Sequence, residues 1–171
     1  MNLQCGGLAR ACPESRVRFI TWQLYGRGPL YLQQDSIARL VAGSIRFGAE
    51  HLHYYELCAY VVMADHVHLL VRPWVDSTRF LQTVKDYTAR EANRMLGRIG
   101  RPFWRKESAD HWLADAREAD RIKACIENEP LRAGLAARPE DYLWSSAAGS
   151  KAWMPVLVVC NHQTESGIDP E

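Results

Sequence analysis

Leu57-Cys58-Ala59-Tyr60-Val61-Val62-Met63, then Ala64-Asp65, then His66-Val67-His68-Leu69-Leu70-Val71 decides the reading of this chain. Both arms are apolar and rich in strand-forming residues, and the short polar break between them predicts a β-hairpin. Side chains alternate across a strand, so His66 and His68 point to the same sheet face, early on the second arm. From there both can reach one metal ion or one phosphate. A pair of imidazoles needs a third ligand from elsewhere in the chain. Without one, they are simply two core or edge histidines.

Outward from the hairpin, Val17 to Tyr25 alternates and is ended by Gly26-Arg27-Gly28-Pro29, which predicts a first strand. Between Gln34 and Glu50, Ile37, Leu40, Val41, Ile45 and Phe47 recur at roughly helical spacing, with Asp35 or Ser36 as the expected N-cap. Asp76 or Ser77 is placed to cap a second helix, whose stripe of Phe80, Leu81, Val84, Thr88, Ala92 and Leu96 stops at Gly97 and Gly100. Pro102 to Arg105 and His111 to Ala114 flank what reads as a polar turn and are expected to supply the last strand. A third helix is expected from near Asp115 to Asn128 or Glu129, limited by Pro130. Strand, helix, strand, strand, helix, strand is the α+β, ferredoxin-like split βαβ order with an antiparallel sheet, here with an added C-terminal helix. The expected organisation is a loose leader over 1–15, one domain over 16–150 and a disordered tail over 151–171.

With 171 residues the chain can bury a proper core as one domain. No run approaches the roughly 18 apolar residues of a membrane span, and the N-terminus lacks the order of a signal peptide, so a cytoplasmic protein without a membrane partner is expected. Five scattered cysteines, never in a Cys-x-x-Cys pair, indicate free thiols rather than a disulfide framework or a zinc ribbon. The net charge of +1 argues against a generic nucleic-acid binder, but the charge is unevenly placed. Arg79, Lys85, Arg90, Arg94, Arg98, Arg101, Arg105 and Lys106 face only Asp86 and Glu91 over the same stretch. Such a stripe is either a footprint for phosphate backbones or a solvated helix face. Lys85, Arg90 and Arg94 are expected to look away from the core. Trp22, Phe103, Trp104 and Trp112 are either core residues or surfaces on which unpaired bases stack.

Four blocks, in order, resemble the single-tyrosine HUH transposases and, within them, the REP-associated tyrosine transposases. They are Tyr60 to Leu70; Tyr87-Thr88-Ala89-Arg90-Glu91-Ala92-Asn93 with Gly97 and Gly100; Phe103 to Ser108 with Asp110-His111-Trp112; and Cys125 to Leu135 with Trp144-Ser145-Ser146. The resemblance spans roughly Phe19 to Ser146. It implies a protein that nicks and rejoins single-stranded DNA beside a hairpin, as a monomer or homodimer. His66 and His68 would hold a divalent cation, Mg²⁺ or Mn²⁺, and a tyrosine would attack the scissile phosphate. The family's tyrosine lies five residues before the proline of an Asn-Pro element, and here that place belongs to Cys125. One helical turn on, where relatives complete the metal site with a polar group, stands Glu129. Three roles remain open for the nucleophile: Cys125 as a substitute, Tyr87 in its place, or a protein that binds hairpins without cutting them. The implied DNA contacts are Lys85, Arg90, Arg94, Arg98, Arg101, Arg105 and Lys106. A metal-dependent hydrolase of small phosphoesters would explain the histidines but not the basic stretch.

Overall fold

The structure is a computed structural model that describes residues 16–26 and 28–152. The expected leader and nearly all of the expected tail lie outside those residues. Strand β1 (Arg18–Leu24) gives way to a turn at Gly26, where φ of +76° suits a residue without Cβ. Helix α1 (Asp35–Glu50) buries Ile37, Leu40, Val41 and Ile45. Gln34, not Asp35 or Ser36, takes its N-cap position and makes no side-chain cap, while Phe47 remains 40% exposed. The hairpin follows as β2 (Tyr55–Val62) and β3 (His66–Pro73), closed by the Met63 amide donating to the His66 carbonyl at 2.8 Å.

Helix α2 (Ser77–Met95) is capped by the Asp76 carboxylate, which accepts from the Arg79 amide at 3.2 Å. Its chain reverses at Gly97, with φ of +65°. The last strand differs from expectation: β4 (Trp104–Trp112) runs unbroken where a polar turn was read. Between Trp22↔Ser108 and Leu24↔Trp104 two residues of β1 span four of β4, so a bulge lies where the turn was expected. The buried Lys85 ammonium, on α2, supports that irregular stretch by donating to the Arg105 and Lys106 carbonyls at 2.8 and 3.0 Å. Helix α3 (Ala116–Glu127) starts on Asp115, which accepts from the Glu118 amide while Glu118 accepts from Ala114, a reciprocal cap. Asn128 turns the chain into the short helix α4 (Glu129–Arg132), with Pro130 in its first turn.

The four strands pair antiparallel in the order β2-β3-β1-β4, the α+β ferredoxin-like arrangement. Alternation divides the side chains between two clusters. Ile20, Trp22, Tyr60, Val62, Val67 and Leu69 join α1 and α2 in the main core. Val17, Ala59, Val61, Met63 and Leu70 pack with Ile126 of α3 on the opposite face. Beyond α4 the chain returns to the β2 edge: Ser145 bridges Val61, the Val62 amide donates to the Trp144 carbonyl at 2.8 Å, and Tyr142 donates to the Val62 carbonyl. Ser146 receives the Tyr60 amide at 3.1 Å and donates to the Glu127 carboxylate at 2.9 Å. The Tyr60–Val62 end of the β2 edge is thus covered. No helix among the described residues is long and apolar enough to cross a membrane.

Candidate functional site

His66 and His68 lie on the α3 face of β3, their ring centroids 4.7 Å apart. The turn from α3 into α4 brings Glu129 over them. Its carboxylate meets His66 Nε2 at 3.1 Å and His68 Nε2 at 3.3 Å. One nitrogen from each ring and one Glu129 oxygen all lie within 4.8 Å of one another. Behind the rings, Asp65 Oδ1 is 2.7 Å from His66 Nδ1 and Thr21 Oγ1 is 2.7 Å from His68 Nδ1. Phe19 packs beside His68, with ring centroids 5.2 Å apart.

Burial opposes ionisation of Glu129, but hydrogen bonds from His66 and His68, with the charge of the rings, outweigh it and hold the carboxyl at about 2. Burial likewise pulls the His66 imidazole down; its hydrogen bonds with Glu129 and Asp65 more than offset this and leave it above the ordinary value. A carboxylate with two imidazoles facing it is a donor set that could hold a metal ion.

The group opens onto a cavity of about 740 Å³ that also takes in Cys125, Ile126 and Arg132. Cys125 is exposed on the last turn of α3, and its carbonyl accepts from the Arg132 guanidinium. Its sulfur is not one of the converging donors. Tyr87 does not approach this cavity: it belongs to α2 and packs on the main core across the sheet, with Arg90 over its ring. No tyrosine lines the cavity among the described residues.

The basic residues divide. Lys85 is a correction to the sequence reading: only 8% exposed, it also donates to Ser108 Oγ at 3.1 Å, so all three of its hydrogens are used internally. Arg90 and Arg94 are exposed and share Glu91, whereas Arg98 lies over Tyr31 at 4.4 Å. Arg101, Arg105 and Lys106 are exposed. Trp22, Phe103 and Trp104 are core, the Trp104 indole donating to Thr88 at 2.9 Å, while Trp112 is 46% exposed beneath the Arg18 guanidinium. Sequence reasoning missed Asp65, Thr21 and Arg132. Asp65 adjoins the histidines and was within reach of it; Thr21 becomes visible only once its pairing with His68 is known.

Among solved structures, the fold is similar to that of a REP-associated tyrosine transposase bound to a REP hairpin. The TM-score is 0.62 at 17% identity, over 84% of this chain and 83% of that one. A candidate transposase from Deinococcus radiodurans R1 matches 70% of this chain and 95% of its own at 18% identity, with a TM-score of 0.45, too loose a likeness to argue from. No protein-family model and no curated protein matches the chain. The first likeness is one of fold, and it agrees with the resemblance carried by the sequence blocks.

Proposed function

We propose that this chain is a transposase-like DNA-binding protein that grips single-stranded DNA beside a hairpin and holds Mg²⁺ or Mn²⁺ at His66, His68 and Glu129. The convergence of those three donors beside an open cavity carries the reading. Glu129 reaches His66 Nε2 through Oε1 at 3.1 Å and His68 Nε2 through Oε2 at 3.3 Å, so a carboxylate and two imidazoles, a donor set that would suit a divalent cation, already face one another. A divalent cation supplies charge that polarises a phosphate. Arg132, which has no carboxylate partner among the described residues, adds a fixed positive group at the same cavity. The transposase of similar fold holds a REP hairpin, which supports the same class of partner here. Arg90, Arg94, Arg101, Arg105 and Lys106 supply exposed charge for backbone phosphates, with Arg98 beside them.

For strand cleavage and rejoining, the Cys125 thiolate is the group in the nucleophile's place. A sulfur–phosphorus bond would form as the phosphorus–O3′ bond breaks, the departing O3′ taking a proton from water to become a free 3′ hydroxyl while the 5′ phosphate stays on the protein. A second reading, binding without cutting, is favoured by the lack of any tyrosine among the described cavity residues. Hairpin-flanked, labelled single strands with Mn²⁺ separate the two. A covalent band from wild type that Cys125→Ala abolishes supports cleavage. A band only from Cys125→Tyr supports binding alone. Wild-type Mn²⁺ affinity in a folded His66→Ala, His68→Ala double variant would overturn the cation site.

A further inference from the structure

The two histidines are held from behind by different chemistry. Asp65 sits in the two-residue turn of the hairpin, where its carbonyl accepts from the Leu24 amide at 2.8 Å, so it is tied to β1. Its carboxylate can only accept, which puts the proton of the 2.7 Å contact on His66 Nδ1. Thr21 stands opposite His68 in the β1–β3 register, and its hydroxyl can accept or donate across 2.7 Å. Both Nε2 atoms meanwhile face Glu129.

We propose that Asp65 and Thr21 are positioning residues for the histidine pair. Asp65 keeps a proton on His66 Nδ1, and Thr21 lets His68 carry its proton on Nε2 in the free protein and on Nδ1 when Nε2 becomes a ligand. Partners of this kind fix ring orientation, and their loss weakens metal binding about 10–100-fold. The Asp65 side chain is 60% exposed, which places it at the lower end of that range; Thr21 is half-buried and belongs nearer the upper.

The inference rests on the cation reading above, so its test has two arms. In the first, Mn²⁺ affinity is measured by calorimetry for wild type, Thr21→Val, Thr21→Ser and Asp65→Ala, each checked for wild-type thermal unfolding. Thr21→Val should lose roughly 10–100-fold and Asp65→Ala about tenfold, while Thr21→Ser, which restores the hydroxyl, should stay within about threefold of wild type. Wild-type affinity in both Thr21→Val and Asp65→Ala overturns the proposal. In the second arm, ring-nitrogen NMR at about pH 9, where an ordinary imidazole is neutral, reads the protons with and without Mg²⁺. His66 Nδ1 should carry a hydrogen throughout, and His68 should gain one on Nδ1 only with Mg²⁺. A His66 ring bare at Nδ1 overturns the proposal. If wild type binds neither cation, the function reading fails, and the His66 ring of the free protein still decides the role of Asp65.

Discussion

Replacing Lys85 by methionine is expected to destabilise the fold by about 2–4 kcal/mol while leaving the salt dependence of DNA binding unchanged. The ammonium makes three hydrogen bonds, two of them to carbonyls of the bulged stretch of β4 where the register with β1 slips. Hydrogen bonds to a charged group are worth about 1.5–3 kcal/mol each, and the acceptors left behind cost about 1–3 kcal/mol apiece unless water reaches them. Methionine keeps the length and packing of the stem. The cost of desolvating the ammonium disappears with the substitution and offsets part of the loss, the same burial that lowers the Lys85 pKa. The remainder corresponds to a melting shift of roughly 10 °C for a domain of this size. Urea unfolding gives the first quantity, and binding of a hairpin oligonucleotide at several salt concentrations, below the melting range, gives the second. A variant as stable as wild type with a shallower salt slope would place Lys85 on DNA and refute the structural role.

The exposed arginines should behave in the opposite way. Arg90→Ala and Arg94→Ala are each expected to leave stability within about 0.5 kcal/mol and to flatten the salt slope by up to about 0.7–0.9 log units. Because both already share Glu91, Glu91→Gln should strengthen binding at low salt; the same titrations check this, and an unchanged slope removes these arginines from the interface. The metal-free protein should be most stable between about pH 4.5 and 6.5. The Glu129 contribution is fully present above its ordinary pKa of 4.5 and is lost as pH falls towards about 2; the His66 contribution is present below its ordinary 6.5 and is lost as pH rises through its elevated value. Denaturant midpoints from pH 2 to 9 in chelator measure this, and Glu129→Gln should remove most of the curvature. Mn²⁺ affinity should rise with pH above about 6.5, with proton release visible in buffers of different ionisation enthalpy.

The helices α1 and α2 were legible because each buries one clear apolar stripe against the main core, and the hairpin because its arms are apolar on both faces and feed both clusters. The strand β4 was not, because alternation fails on both of its faces. On one side Glu107, Ala109 and His111 are exposed, and on the other Ser108 and Asp110 meet Lys85 and Arg18 rather than apolar groups. Lys85 was misread for a related reason. Its position falls within the stripe of Leu81, Val84, Thr88 and Ala92, but its charge suggested solvent, and only the carbonyls of the bulge explain its burial. At the candidate site the histidines announced themselves by spacing along a strand. Glu129 is 61 residues beyond His68 and entered through the resemblance alone. Thr21 was invisible because strand register is set by tertiary pairing, not by any local pattern.

The return of the chain to the β2 edge bears on how the molecule is made. Trp144, Ser145 and Ser146 complete the hairpin that carries His66 and His68, and Ser146 reaches at the same time to Glu127, two residues before Glu129. During synthesis from the N-terminus, the histidine strand and the carboxylate helix can emerge and pair through Ile126, and the further brace between β2 and Glu127 is added only after Ser146 has left the ribosome. Bracing of the three donors is therefore a late step of assembly, supplied by residues that lie behind them in the chain and belong to neither element that carries them.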